Sequence, residues 1–232
     1  MIVAIHQANY LPYSGFFQKL SMADTFVIQD DVQFDERFSH RNKIISSTGW
    51  TWLTIPIKKE LQSLPMIDVT INNEINWQRL HWKKITSSYN KTKFFHLYKD
   101  YFEKVYTKKW DNLFELNFEL IKKIIEWLDI KIEIIKESEL NIIGTATERL
   151  VKVCNTINAD TYISGISGKD YLDESQFNKH KIDLIYQNYS SIKYSQHLSK
   201  EFIPNLSIID LLANVGPDSS SYLMEKNNLN NK

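Results

Sequence analysis

Four apolar residues in succession, Ile2-Val3-Ala4-Ile5, run directly into His6-Gln7-Ala8-Asn9-Tyr10-Leu11-Pro12-Tyr13-Ser14-Gly15 and constrain the fold more than any other stretch. An unbroken apolar run of that length fits an interior strand of a parallel sheet, which is covered on both faces and need not alternate. His6 then stands at the carboxyl end of the strand. In open α/β sheets that edge binds ligands, because the strands stop there and the loops diverge into a crevice. Pro12 and Gly15 break the chain before the next element.

After Gly15 the residues Phe16, Phe17, Leu20 and Ala23 fall at helical spacing, and Asp24 ends the segment. Thr25-Phe26-Val27-Ile28 reads as a second strand, parallel to the first because a helix intervenes. Gln29, Asp30 and Asp31 therefore reach the same edge as His6. The last third repeats this rhythm. Thr145 with Glu148 forms a capping-box pattern before a helix with Leu150, Val151, Cys154 and Ile157 on one face. A strand at Thr161-Tyr162-Ile163 leads into the loop Ser164 to Tyr171, a helix from Leu172 to about Lys179, and a strand from Ile182 to Tyr186. Ser207 caps a final helix that Gly216-Pro217 ends.

The middle of the chain is different. Ile44-Ile45 and Trp52-Leu53-Thr54-Ile55 flank Ser46-Ser47-Thr48-Gly49 and predict a hairpin. Pro56 and Pro65 bracket a looser connection, and Ile67 to Ile71 alternates like an edge strand. From Trp77 to Leu128 the chain reads as helical, with Leu113, Leu116, Asn117, Leu120, Ile121, Ile124 and Leu128 tracing one face. Trp77, Trp82, Phe94, Phe95, Tyr98 and Phe102 read as packing residues. Ile130 to Ile135 alternates as a strand. The fold class expected is α/β, a Rossmann-like and mostly parallel sheet with an aromatic-rich helical insertion. Residues 1–43 and 129–217 would form the α/β core, 44–128 the hairpin and helical insertion packed on it, and 218–232 a flexible tail.

The 232 residues suffice for a substantial core. Lys plus Arg equals Asp plus Glu at 28 each, so no global field draws the chain to nucleic acid or an anionic membrane. Cys154 is the only cysteine, which excludes an intrachain disulfide and suits a reducing compartment. No apolar run approaches the roughly 20 residues of a membrane helix, and Ile2 to Ile5 is too short for a secretory leader. A cytoplasmic protein without membrane insertion is expected. His40, His81, His96, His180 and His197 show no metal-ligand spacing, so no metal site is expected.

Several residues carry candidate chemistry. His6 could act as a base or donate to an oxyanion, or it could be a histidine satisfied at a strand end. Asp30 and Asp31 could orient His6 or hold a sugar hydroxyl or Mg²⁺, or form an ordinary acidic turn; the sequence does not rank them. Arg37, His40, Arg41, Asn42 and Lys43 form the densest cationic group near the proposed crevice, and a guanidinium fork suits phosphate. In Ser164-Gly165-Ile166-Ser167-Gly168-Lys169-Asp170-Tyr171 two glycines three apart let backbone amides approach an anion, or simply make a tight turn. This loop is neither a Walker A loop nor the dinucleotide fingerprint, and no Gly-x-Ser-x-Gly elbow occurs. Cys154, on an apolar helical face, reads as core.

A set of ordered blocks resembles the WbqC-like family. They are His6-Gln7-x-Asn9-Tyr10-Leu11-Pro12-x-x-Gly15-Phe16-Phe17, Asp24-x-Phe26-Val27, Asp30-Asp31-Val32-Gln33-Phe34, Arg41-Asn42, Trp52-Leu53-Thr54-Ile55-Pro56, Tyr162-x-Ser164-Gly165, Tyr171-Leu172 and Ser207-Ile208-x-Asp210-Leu211-Leu212. They span the chain to about Gly216. Ala8 is one departure, at a position where the family carries proline. The resemblance implies a role in bacterial O-antigen (lipopolysaccharide) and other surface polysaccharide synthesis, beside enzymes that make nucleotide-linked amino sugars. The reaction it suggests is transfer of an acyl or aminoacyl group, such as glycyl, to the sugar amine. The layout is also similar to nucleotidylyltransferases and pantothenate synthetases, which place a His-x-x-His or His-x-Gly-His pair on phosphate; here Asn9 and Tyr10 occupy the positions of the second histidine.

The expected mechanism rests the nucleotide diphosphate on the Gly165 to Gly168 amides with Arg41 and Lys169, while Asp30 or Asp31 fixes a sugar hydroxyl. His6 takes the proton of the attacking amine, and Gln7 and Asn9 steady the acyl oxygen. The catalytic candidates are thus His6, Gln7, Asn9 and Asp30. The substrate-binding candidates are Tyr10, Asp31, Gln33, Arg41, Asn42, Ser164, Gly165, Ser167, Gly168, Lys169 and Tyr171. No cofactor is fixed; ATP with Mg²⁺ and an acyl thioester are the candidate donors. A nucleotidylyltransferase- or ligase-type enzyme and a non-catalytic binding module of polysaccharide assembly are the alternatives.

Overall fold

The computed structural model describes residues 1–61 and 63–224. The chain opens with β1 (Ile2–Gln7), α1 (Ser14–Leu20) and β2 (Thr25–Gln29), and the two strands pair in parallel from Val3 opposite Thr25 to Gln7 opposite Gln29. After an insertion the chain returns as β5 (Glu133–Lys136), α5 (Ala146–Thr156), β6 (Thr161–Ser164), α6 (Glu174–Lys179) and β7 (Asp183–Tyr186). The five strands form one wholly parallel sheet in the order β5-β2-β1-β6-β7. Counted in chain order within the sheet this is 3-2-1-4-5, the order of the first five strands of a doubly wound α/β sheet.

Side-chain alternation along β1 splits the core. Ala4, with Phe26 and Ile28 of β2, packs on Phe16, Phe17 and Leu20 of α1. Val3 and Ile5 with Val27 face the opposite layer, Val151, Cys154 and Phe177 of α5 and α6. His6 follows Ala4 in the alternation and meets Phe16 edge to face at 5.2 Å. It lies within β1, two residues before the loop bends away.

The insertion begins with β3 (Arg41–Ser46) and β4 (Gly49–Thr54), an antiparallel hairpin with Arg41 opposite Thr54. It continues with α2 (Trp77–Tyr89), α3 (Lys99–Thr107) and α4 (Leu113–Trp127). Asn76 and Asn112 cap α2 and α4, accepting from the Arg79 and Glu115 amides at 3.3 and 3.0 Å. Trp77, Phe95, Tyr98 and Phe102 are buried in the same core as α1, and Trp82 and Phe94 pack against it. Then α7 (Ile208–Val215), capped by Ser207, and α8 (Ser219–Met224) close the chain over this layer.

Four local expectations need correction. Residues 67–71 form no strand: Met66–Asp68 is a 3₁₀ turn, and only single bridges follow at Thr70 and Ile71. Met66 and Val69 are buried while Ile67 is exposed, so the apolar period there is three rather than two. Neither half of the capping box forms: Thr145 flanks α5 without a side-chain cap, and Glu148 pairs with Lys152 at 2.6 Å instead of reaching back. Leu172 precedes α6, whose cap is Asp173, accepting from the Ser175 amide at 3.0 Å. Ser219 to Ser221, expected to be mobile, begin α8: Leu223 is buried, and Gln18 donates to its carbonyl at 3.3 Å. The remainder of the expected tail, 225–232, lies outside the described residues. No helix among the described residues is long and apolar enough to cross a membrane.

The insertion is tied to the loop after β1 by Asn117 of α4, whose amide donates to the carbonyls of Ala8 and Ser39, both at 2.7 Å. Asn117→Ala would strand two buried carbonyls, at a cost of roughly 2–4 kcal/mol. Thermal denaturation should show a midpoint about 5–15 °C lower; an unchanged midpoint would mean that the loop holds without this clamp.

Candidate active site

From β1 the chain passes through α1 to β2 and β5 on one side, and from β5 through α5 to β6 and β7 on the other. The loops leaving β1 and β6 therefore part above β1, the topological switch point where such sheets take ligands. His6 sits there, half-buried. Its Nδ1 meets the Gln7 carbonyl at 3.0 Å. A carbonyl can only accept, so Nδ1 carries the hydrogen and Nε2 presents its lone pair. Among the described residues nothing bonds to Nε2. Burial, with a lesser contribution from the Lys19 charge, lowers the His6 pKa to about 3 and keeps the ring neutral at physiological pH.

Much of the polar sequence around His6 is occupied in building the crevice. The Gln7 amide donates to the Gln33 carbonyl at 2.9 Å and its oxygen accepts from the Asp35 amide and the Ser39 hydroxyl at 3.2 and 3.3 Å. Gln7 thus braces the loop after β2, with its oxygen doubly occupied and one N–H of its amide committed. Tyr10 is fully buried. Its hydroxyl lies 2.5 Å from that of Tyr106 and 2.9 Å from Nδ1 of His81, whose Nε2 meets the Thr54 carbonyl at 3.1 Å. The Thr54 carbonyl only accepts, so this chain of bonds runs from Tyr106 through Tyr10 to His81, with burial holding the His81 pKa near 4. Asn42 donates to the Leu11 and Tyr10 carbonyls at 2.7 and 3.3 Å and accepts from the Lys43 amide. Tyr10 and Asn42 are therefore supports rather than substrate contacts.

The two aspartates divide differently from the expectation. Asp30 is fully buried and accepts from the Ser138 amide and hydroxyl at 2.9 and 2.6 Å, which removes it from a sugar hydroxyl and from His6. Asp31 pairs with Arg149 at 2.5 Å; the same guanidinium holds buried Glu137 at 2.5 Å. Among the described residues no group of three or more His, Cys, Asp or Glu side chains could hold a metal ion.

The other candidates stay nearer solvent. Asn9 is half-buried and makes no side-chain hydrogen bond among the described residues. The Gln33 side chain is exposed. The Arg41 guanidinium lies 4.8 Å over the Trp52 ring and its Nε donates to the Arg37 carbonyl at 3.1 Å. After β6 the expected glycine loop is a 3₁₀ turn, Ile166–Asp170. The Gly168 amide donates to the Gly165 carbonyl at 2.9 Å, so it is closed to an anion. A Cβ on Gly168 would stand 2.2 Å from the Ser164 Oγ, which is why glycine is needed there. Ser164 is buried; Gly165 is partly exposed, and Ser167 and Lys169 are exposed, with the Lys169 Nζ 5.2 Å over the Tyr186 ring. Tyr171 is 67% exposed.

The model of the WbqC-like protein family matches residues 7–222. The chain belongs to this family. It is also similar to the uncharacterized protein Rv1507c of Mycobacterium tuberculosis, 31% identical over 223 residues that cover 95% of this chain and 96% of that protein. No solved structure matches.

Three residues of this WbqC-like chain escaped the sequence reading. Arg149 lies on a helix between apolar positions and gives no local sign that it gathers Asp31 and Glu137. Asn117 occupies an apolar helical face, and a polar residue in that stripe was the available signal. Lys19 belongs to a seven-residue helix in which Gly15 to Leu20 are all buried, so no exposed face existed against which a buried lysine would stand out.

Burial lowers the pKa of His6, His40 and His81 to about 3, 4 and 4, all below the ordinary 6.5. The unfolded chain then binds more protons than the folded one, so their contribution to stability is present above pH 6.5 and lost as the pH falls through that value toward 4. NMR of ¹³C-labelled histidine should show these three rings unchanged between pH 8 and 5. A His6 midpoint near 6.5 would contradict the neutral-ring assignment.

Proposed function

We propose that this WbqC-like protein is an enzyme of bacterial surface polysaccharide synthesis that transfers an acyl or aminoacyl group, such as glycyl, to the amine of a nucleotide-linked amino sugar. The observation that supports the reading is the state of His6. A neutral ring is locked by its Nδ1 hydrogen, and its Nε2 lone pair opens without a protein partner at the switch point of the sheet. Such an acceptor orients an attacking amine through its lone pair and does not repel it, as an imidazolium would; the negative charge of a bound substrate would raise its basicity toward the range in which it takes the proton. Asn9, three residues on and equally without a partner, is the donor available to the acyl oxygen.

The remaining roles follow from which groups stay open. Lys169, Arg41 and Tyr171 would contact the nucleotide, while Asp31 is held by Arg149. In the reaction the acceptor nitrogen forms a bond to the acyl carbon, the bond to the donor's leaving group breaks, and the proton shed by nitrogen passes through His6 to the departing group, which returns the ring to its neutral state. An acyl thioester would supply the carbon directly. ATP with Mg²⁺ would serve if the donor is activated in place.

A thermal-shift panel of nucleotide-linked amino sugars, free nucleotides, ATP with Mg²⁺ and coenzyme A thioesters should give a shift with the amino sugar nucleotide, about 2.7 kcal/mol at one hundred times its dissociation constant. Incubation with that sugar and an acyl or aminoacyl donor should give a product heavier by the acyl mass. Turnover should fall roughly 10²- to 10⁴-fold in His6→Ala with folding unchanged. Pyrophosphate release from ATP, with no acylated sugar, would replace this reading with a nucleotidylyl- or ligase-type reaction. A His6→Ala protein with full turnover would remove His6 from the chemistry.

A further inference from the structure

Lys19 is 3% exposed, yet no hydrogen bond or ion pair holds its ammonium group among the described residues. It stands one helical turn after Gly15 on α1. Side chains on a helix lean toward its N-terminus, and the N-terminus of α1 lies at the carboxyl edge of the sheet beside His6. The Lys19 charge contributes to the lowered pKa of His6, in keeping with that direction.

Among the described residues, the elements around α1 supply no counter-charge. β1 contributes neutral His6, and Tyr13 and Tyr189 face each other beside Gly15, where Gln187 donates to the Gly15 carbonyl at 2.9 Å. α8 contributes Tyr222 and no acid. Beyond His6, Asp35 is bound to Arg37 at 3.1 Å. Burial lowers the Lys19 pKa to about 7. A buried, unpaired cation is costly, and natural chains keep such groups paired or let them lose their charge.

We infer that the crevice contains an oxyanion-binding site in which Lys19 of α1, beside His6, is the charge that a substrate phosphate or carboxylate pairs with. The inference stands on the crevice alone and not on acyl transfer, so a failure to find turnover leaves it intact. Anion binding must then be linked to proton uptake by Lys19. The charged form is favoured below about pH 7, and each unit above that costs about tenfold in affinity.

The experiment is calorimetric titration of the full chain with pyrophosphate, inorganic phosphate, acetate and glycine at pH 6, 7, 8 and 9, in phosphate-free buffers of different ionisation enthalpy. At least one oxyanion should bind with uptake of up to one proton, and affinity should decline above pH 7. The phosphate and carboxylate arms tell which part of a substrate the site receives. Lys19→Met should bind roughly 10- to 100-fold more weakly and lose the pH dependence. Without anion, its melting temperature at pH 7 should equal or exceed that of the natural chain, because a buried charge has been removed. If that variant does not fold, the natural chain still decides: ¹³C-methylated Lys19 should titrate near pH 7 alone and at least one unit higher with a saturating oxyanion. An unmoved midpoint, binding that survives Lys19→Met unchanged, or no binding by any of the four probes overturns the site.

Discussion

The loop that leaves β1 has no neighbouring strand to join, and the positions it crosses are buried, so its carbonyls must find donors from elsewhere. Side-chain amides supply them. Asn117 arrives from α4 to hold Ala8, and Asn42 arrives from β3 to hold Tyr10 and Leu11. Gln7 bonds outward to the loop after β2. Leu11 takes a positive φ of 44° within this arrangement, a backbone state that a leucine keeps only when its surroundings dictate it. The sheet edge, the hairpin and the helical layer are thus joined through one loop. A rigid loop also fixes the direction of the His6 ring that precedes it.

Features carried by local periodicity were legible in the sequence. The apolar run before His6, the helical spacing after Gly15 and the Thr25 to Ile28 strand suffice to place a parallel pair with polar residues at one edge, and the paired register bears this out. The hairpin was equally clear, because Ser46 to Gly49 interrupts two strands of strong β formers. Residues 67–71 misled because Ile67, Val69 and Ile71 at alternate positions also fit a turn pinned by the Met66 and Ile67 amides to the carbonyls of Val32 and Asp30. Ser219 to Ser221 misled because α8 depends on burial of Leu223 against α1, a contact between residues some two hundred positions apart.

The candidate site was less legible than the fold, for a reason specific to polar side chains. His6, Gln7, Asn9, Tyr10, Asp30 and Asn42 are all polar and all near one strand edge, and nothing in their order distinguishes a group that faces a ligand from one that supports a loop. Partners decide it. Asp30 is closed by Ser138, and Tyr10 by Tyr106 and His81, whereas His6 Nε2 and the Asn9 amide stay open. A pattern of residue types shared across a family therefore contains both the walls of a crevice and its contents.

Electrostatics separates the two further. Arg149 shows how this chain treats a charge whose work is structural: it is bound to Asp31 and Glu137 together, and the buried acid is matched by a guanidinium. Asp210, buried on α7, is likewise held by Tyr194 and Gln196 at 2.8 Å each. Against that background Lys19 and His6 belong, with His40, to a different kind. Both are basic, both lack a partner at their reactive nitrogen, and burial has pushed both toward the neutral form. A fold that brings side chains from distant elements to Glu137 and Asp210, though one oxygen of each stays unbonded, had the means to bring one to these two. Two uncompensated bases on facing elements at the switch point are a cost to the folded chain that a ligand bearing negative charge and a transferable proton would offset.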